Sequence, residues 1–83
     1  MDNSDTIRIS IQNEEDQNVR ETLQYVYDAL KEKKYNPVEQ IIGYIISEDP
    51  AYITTYKNAR NKILHLDRYE LLTCLIKNYL NVE

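Results

Sequence analysis

The stretch YNPVEQIIGYIISEDPAYI, residues 35–53, holds two helix starts and the most apolar run of the chain. Asn36 is a favoured N-cap, because its side-chain oxygen accepts a bond from an amide in the first turn. Pro37 follows at the first helical position, where a missing N–H costs nothing, and Glu39 comes three after the cap. Ile41, Ile42, Ile45 and Ile46 then form an apolar face, which predicts a helix. Gly43 is the sole glycine, and inside a helix it costs about 1 kcal/mol against alanine. Its presence points to a close helix crossing with no room for a side chain. A phosphate cradle is the poorer reading, since no Gly-rich loop surrounds it. Asp49 and Pro50 repeat the cap-and-proline device and open a third helix.

Upstream, Val19, Leu23, Val26, Tyr27 and Leu30 share one face of a 3.6-residue period. This first helix is predicted to end near Lys33, ahead of the extended residue that Pro37 demands. The acidic run from Asn13 to Asn18 is read as preceding it and loading its N-terminus. Downstream, Tyr52, Tyr56, Ala59, Ile63 and Leu66 predict one continuous third helix, with Lys57, Asn58, Arg60, Asn61 and Lys62 on its polar side. Asp67 and Glu70 read as a capping box before helix four. Leu71, Leu72, Leu75, Ile76, Tyr79 and Leu80 make a stripe too broad for one small core, so part of it is expected to pack on another subunit. The fold class is all-α: a compact bundle of four short helices over residues 18–83, behind a flexible tail over residues 1–17. In that tail Ile7, Ile9 and Ile11 alternate with Thr6, Arg8 and Ser10, a strand period. With no partner strand the segment has no sheet to join, so an extended, mobile tail is expected.

The chain has 83 residues, one domain at most, with a formal net charge of -4. That balance argues against a nucleic-acid partner, which needs basic surface to displace counterions. Lys31, Lys33 and Lys34 suit a helix C-terminus. No apolar run approaches the ~20 residues needed to cross a bilayer, no signal peptide begins the chain, and the single cysteine suits a reducing compartment. A cytoplasmic protein without membrane insertion is expected. Eight tyrosines without Phe or Trp favour a protein that associates, since tyrosine buries its ring while its hydroxyl stays wet. No catalytic set stands out. His65, the only histidine, reads as a helix-end residue, and Cys74 as a small hydrophobe among leucines. With no His or Cys pair to hold zinc, neither metal nor cofactor is expected, and an enzyme is the weak hypothesis.

The segments KKYNPVEQIIGYIISEDPAYI, ARN and DRYE, at this spacing, resemble the IreB-like regulatory proteins of Gram-positive bacteria. The likeness runs from about Thr6 to Leu80. It implies an all-helical homodimer with a flexible N-terminal segment, phosphorylated by a membrane Ser/Thr kinase that bears PASTA domains and reversed by an opposing phosphatase. It also implies a role in cell-wall stress, in control of peptidoglycan precursor synthesis through another regulatory protein or a protease component, and in antibiotic tolerance. Through DTIRI the resemblance maps the phosphoacceptor onto Thr6, with Ser4 as a second site. A phosphate there would add about -1.5 to -2 charges. Arg8, Arg60 or a partner surface could receive it, and Asn61 shares the polar face with Arg60. Ile42, Ile45, Ile46, Leu72, Leu75 and Ile76 are the expected dimer interface. The alternative, from a different class, is a helical adaptor that binds its partner constitutively. Two departures stand out. The family usually has glycine where this chain has Lys34 and Glu48, so these junctions could differ here. It often has basic residues where Thr55 and Leu64 stand.

Overall fold

The structure, a computed structural model, describes the backbone of residues 3–83 and the side chains of residues 14–83. It is all-α, with α1 (Asn3–Glu32), α2 (Pro37–Ser47), α3 (Ala59–Leu64) and α4 (Arg68–Leu80), and no strand among the described residues. Of the expected tail, the side chains of Ser4, Thr6, Ile7, Arg8, Ile9, Ser10 and Ile11 lie outside the described residues.

The acidic run does not precede the first helix; Glu14 to Asn18 lie within it. No Gly or Pro occurs before Pro37 to stop the helix, and side chains one turn apart support it. Gln17 donates to Glu21 at 2.8 Å, and Arg20 pairs with Asp16 at 3.5 Å.

α1 is the element on which the others pack. Its residues Val26, Ala29 and Leu30 are buried with Tyr44, Ile53, Ala59 and Ile63. Val19 forms a second buried group with Leu66 and Leu71 near α4. Each fully buried Val, Leu or Ile contributes about 1.5–3 kcal/mol.

α2 begins as its sequence says. Asn36 Oδ1 accepts from the Glu39 amide at 3.1 Å, with Pro37 at the first position. α4 is capped likewise, by Asp67 accepting from the Glu70 amide at 3.1 Å.

The third helix is shorter than its apolar stripe suggests. Asp49 and Pro50 open only a 3-10 turn, Pro50–Tyr52. Ile53 is then extended and fully buried. A second 3-10 turn, Tyr56–Asn58, leads into α3 through left-handed Lys57 and Asn58. Two contacts break the helix, one local and one tertiary. Thr54 Oγ1 accepts from the Tyr56 amide at 3.1 Å, a side-chain bond that competes with helix. Ile53 meanwhile turns its side chain into the core, and its carbonyl accepts from Arg60 Nε at 2.8 Å. Tyr52 and Tyr56 are consequently half-exposed, unlike buried Ala59 and Ile63.

What approaches Gly43 most closely is an aromatic ring. A Cβ built there would lie 2.4 Å from Cδ1 and Cε1 of Tyr52, whose ring folds back over α2. The two junctions that lack glycine keep the left-handed backbone all the same, at Lys34 (φ 66°) and Glu48 (φ 62°). Arg68 secures the second, donating through Nη2 to the Ile45 carbonyl and pairing through Nη1 with Glu48 at 2.8 Å. These contacts satisfy the C-terminal end of α2.

Two expectations follow from these contacts. Lys34→Gly relieves a strained backbone and is expected to raise stability by up to about 1 kcal/mol in urea denaturation followed by circular dichroism. Gly43→Ala is expected to destabilise the native chain through the Tyr52 ring. In a Tyr52→Ala background the same change should stabilise by about 1 kcal/mol, the helix preference of alanine.

Candidate functional site

The surface is shaped by what α1 leaves uncovered. A groove of about 460 Å³ runs between α1, α2 and α4. Its walls are Val19, Leu23 and Tyr27 of α1, Val38, Ile42 and Ile45 of α2, and Leu75 of α4. At one end, Asn78 donates to the Asp16 carboxylate, and Arg20 donates to Asn78 Oδ1 at 3.1 Å. This polar clamp ties α1 to α4 across a separation of more than half the chain.

Of the six apolar residues singled out in the sequence, Ile42, Ile45 and Leu75 are brought together along the groove. Ile45 is half-buried and packs on the core. Ile46, Leu72 and Ile76 are outside the groove lining and exposed, Ile46 at 78% and Ile76 at 58%. Tyr69 and Tyr79 on α4 add large exposed rings. The period of α4 announces such a two-sided apolar helix. Val38, also exposed, was hidden in the sequence by its place in the first turn after Pro37.

The polar candidates are less united. Arg60 is half-buried, with Nε committed to the Ile53 carbonyl at 2.8 Å. Asn61 is exposed and donates to Asn58 Oδ1 at 2.8 Å. Thr6, Ser4 and Arg8 lie outside the residues whose side chains are described. His65 is the C-cap residue of α3, its Nδ1 2.6 Å from the Asn61 carbonyl. A carbonyl only accepts, so Nδ1 carries the proton. Among the described residues no group of three His, Cys, Asp or Glu side chains could hold a metal, and no helix is long and apolar enough to cross a membrane.

The family model described as IreB regulatory phosphoprotein matches residues 4–81. The chain is also 48% identical over 77 residues to a UPF0297 protein of Ruminiclostridium cellulolyticum, covering 93% of this chain and 88% of that protein.

Cys74 sits where the groove meets a second cleft, lined by Glu15, Asp16, Asp67, Glu70 and Glu83 with Lys77. Burial, and then the carboxylates of Asp16, Glu15 and Glu70, push its thiol pKa up. The thiolate is the nucleophile, so less of it is present near neutral pH than for a free cysteine. Labelling with Ellman's reagent is expected to be several-fold slower in the folded chain than in urea, and the gap should narrow as pH rises.

Proposed function

This chain belongs to the IreB regulatory phosphoprotein family, and on that footing we propose that it is a non-catalytic switch protein working in the cytoplasm. A PASTA-domain Ser/Thr kinase phosphorylates Thr6, with Ser4 as a second site, and an opposing phosphatase reverses it. The output is control of peptidoglycan precursor synthesis under cell-wall stress, through a second regulatory protein or a protease component, with antibiotic tolerance as the consequence. The observation that carries this reading is the family match, which begins at residue 4 and so includes the threonine. A phosphate at Thr6 would add about -1.5 to -2 charges and three acceptor oxygens. That is enough to change which partner surface the segment attracts.

The protein acts as a homodimer in this reading. Ile42, Ile46, Leu72 and Ile76 stand exposed, with Ile45 and Leu75 beside them on the groove. A two-fold axis would bury the same patch on both copies. The second reading, a constitutive adaptor, draws on the same exposed residues and needs no phosphate.

Incubating the chain with a PASTA kinase, followed by mass spectrometry, separates the two. Phosphate on Thr6 that vanishes in Thr6→Ala supports the switch, and an unmodified N-terminal peptide supports the adaptor. For the dimer, Ile46→Glu and Ile76→Glu alter side chains already exposed in the single chain. Both are expected to keep the helical spectrum while sedimentation shifts from dimer to monomer. A monomeric wild type at micromolar concentration would refute the dimer.

A further inference from the structure

Half of the chain's ten basic residues gather where α1 ends: Lys31, Lys33 and Lys34, joined by Lys57 and Lys62 from the segment leading into α3 and from α3 itself. All five are exposed. Asp28 and Glu32 lie beside Lys31 and Lys57, and Glu32 pairs with Lys57 at 3.1 Å. Five lysines less two carboxylates give this end +3, and the chain's total of -4 leaves -7 for the remainder.

Three of the five lysines rest on tyrosine rings. Lys33 Nζ lies 5.2 Å from the centre of the Tyr56 ring, and Lys57 Nζ lies 5.5 Å from the same ring. Lys62 Nζ lies 4.8 Å from the centre of the Tyr25 ring. Tyr25 in turn donates its hydroxyl to the Lys57 carbonyl at 2.6 Å, fixing the loop at a residue with left-handed backbone (φ 52°). Cations resting on ring faces have less freedom to lose when a ligand arrives.

We infer that this lysine–tyrosine end is a docking surface for an acidic segment of a partner protein. It is compact and positive in a molecule that is otherwise strongly negative. A short carboxylate-rich peptide meets a local excess of cations, whereas a long polyanion such as RNA would run onto the negative remainder and be repelled. The chain's own N-terminal segment is a poor occupant. Glu14 and Lys31 lie seventeen residues apart on one helix, about 26 Å at 1.5 Å per residue, so that segment leaves from the opposite end.

The test uses the full chain and a fluorescein-labelled oligoglutamate peptide as probe, read by fluorescence anisotropy, with an RNA oligomer of equal charge in parallel. The peptide is expected to bind at physiological salt. Lys33→Gln/Lys62→Gln should weaken it about tenfold, while Lys77→Gln, at the acidic cleft, leaves it unchanged. Amide shifts on titration should centre on Tyr25, Tyr56 and Lys57. No binding, equal weakening by Lys77→Gln, or tighter binding of RNA each overturns the proposal. Thr6→Ala is expected to bind the probe as wild type does, so this surface and the phosphorylation of Thr6 stand or fall separately.

Discussion

Every other element of this protein depends on burial of one face of α1. Val26 and Leu30 are fully buried, as are Ile53, which arrives on an extended segment, and Ile63, which arrives on α3. Val19, further up the same helix, is covered with Leu66 and Leu71. A chain of 83 residues buries only about two-thirds of its unfolded surface, so no second core can replace this one. α2, α3 and α4 are short, and isolated helices of such length are marginal in water. They hold their shape because α1 gives each an apolar surface to cover.

Short connections are the cost of wrapping three helices around one. The helix junctions use Lys34, Glu48, Lys57 and Asn58, and α4 ends at Asn81, all with positive φ and none a glycine. Asn tolerates this backbone; Lys and Glu carry about 1 kcal/mol each relative to glycine. In a domain whose total stability is about 5–15 kcal/mol, three such positions matter. Two of them are held by tertiary contacts, Glu48 by Arg68 and Lys57 by Tyr25. The left-handed turns at Lys34 and Glu48 form without glycine.

What could be read from the sequence was whatever is encoded locally. The starts of α2 and α4 rest on Asn36 and Asp67, each bonding an amide three residues away, and such caps are legible one residue at a time. The third helix was misread because Tyr52, Tyr56, Ala59, Ile63 and Leu66 keep helical spacing through a segment that is not helical. The decisive facts there are tertiary: Ile53 plugs the core and Arg60 bonds its carbonyl. The run Ile53-Thr54-Thr55, β-branched throughout, was the available warning. Gly43 reads as a close helix crossing; the lack of room is there, but what fills it is the Tyr52 ring, from the turn that the sequence disguised as helix. The apolar groove was half-legible, since the periods of α2 and α4 mark its walls. The lysine–tyrosine end was not, because Lys33 and Tyr56 meet only once the fold exists.

The position of α1 also limits how two surfaces on this molecule can influence each other. A phosphate added ahead of Glu14 and a ligand resting near Lys31 would be separated by about 26 Å or more along one helix. The Debye length at physiological salt is about 8 Å, so the charge at one end is screened before it reaches the other. Communication between them must therefore run through packing. The available route is the Asp16–Asn78–Arg20 clamp, which joins the acidic part of α1 to α4, and the core that continues from Leu71 through Leu23 to Val26 and Ile53. Any coupling carried by that route would change the stability of α4 against α1 before it changed anything at the lysines. A partner that reads both ends would otherwise sense two independent signals, one chemical and one constitutive.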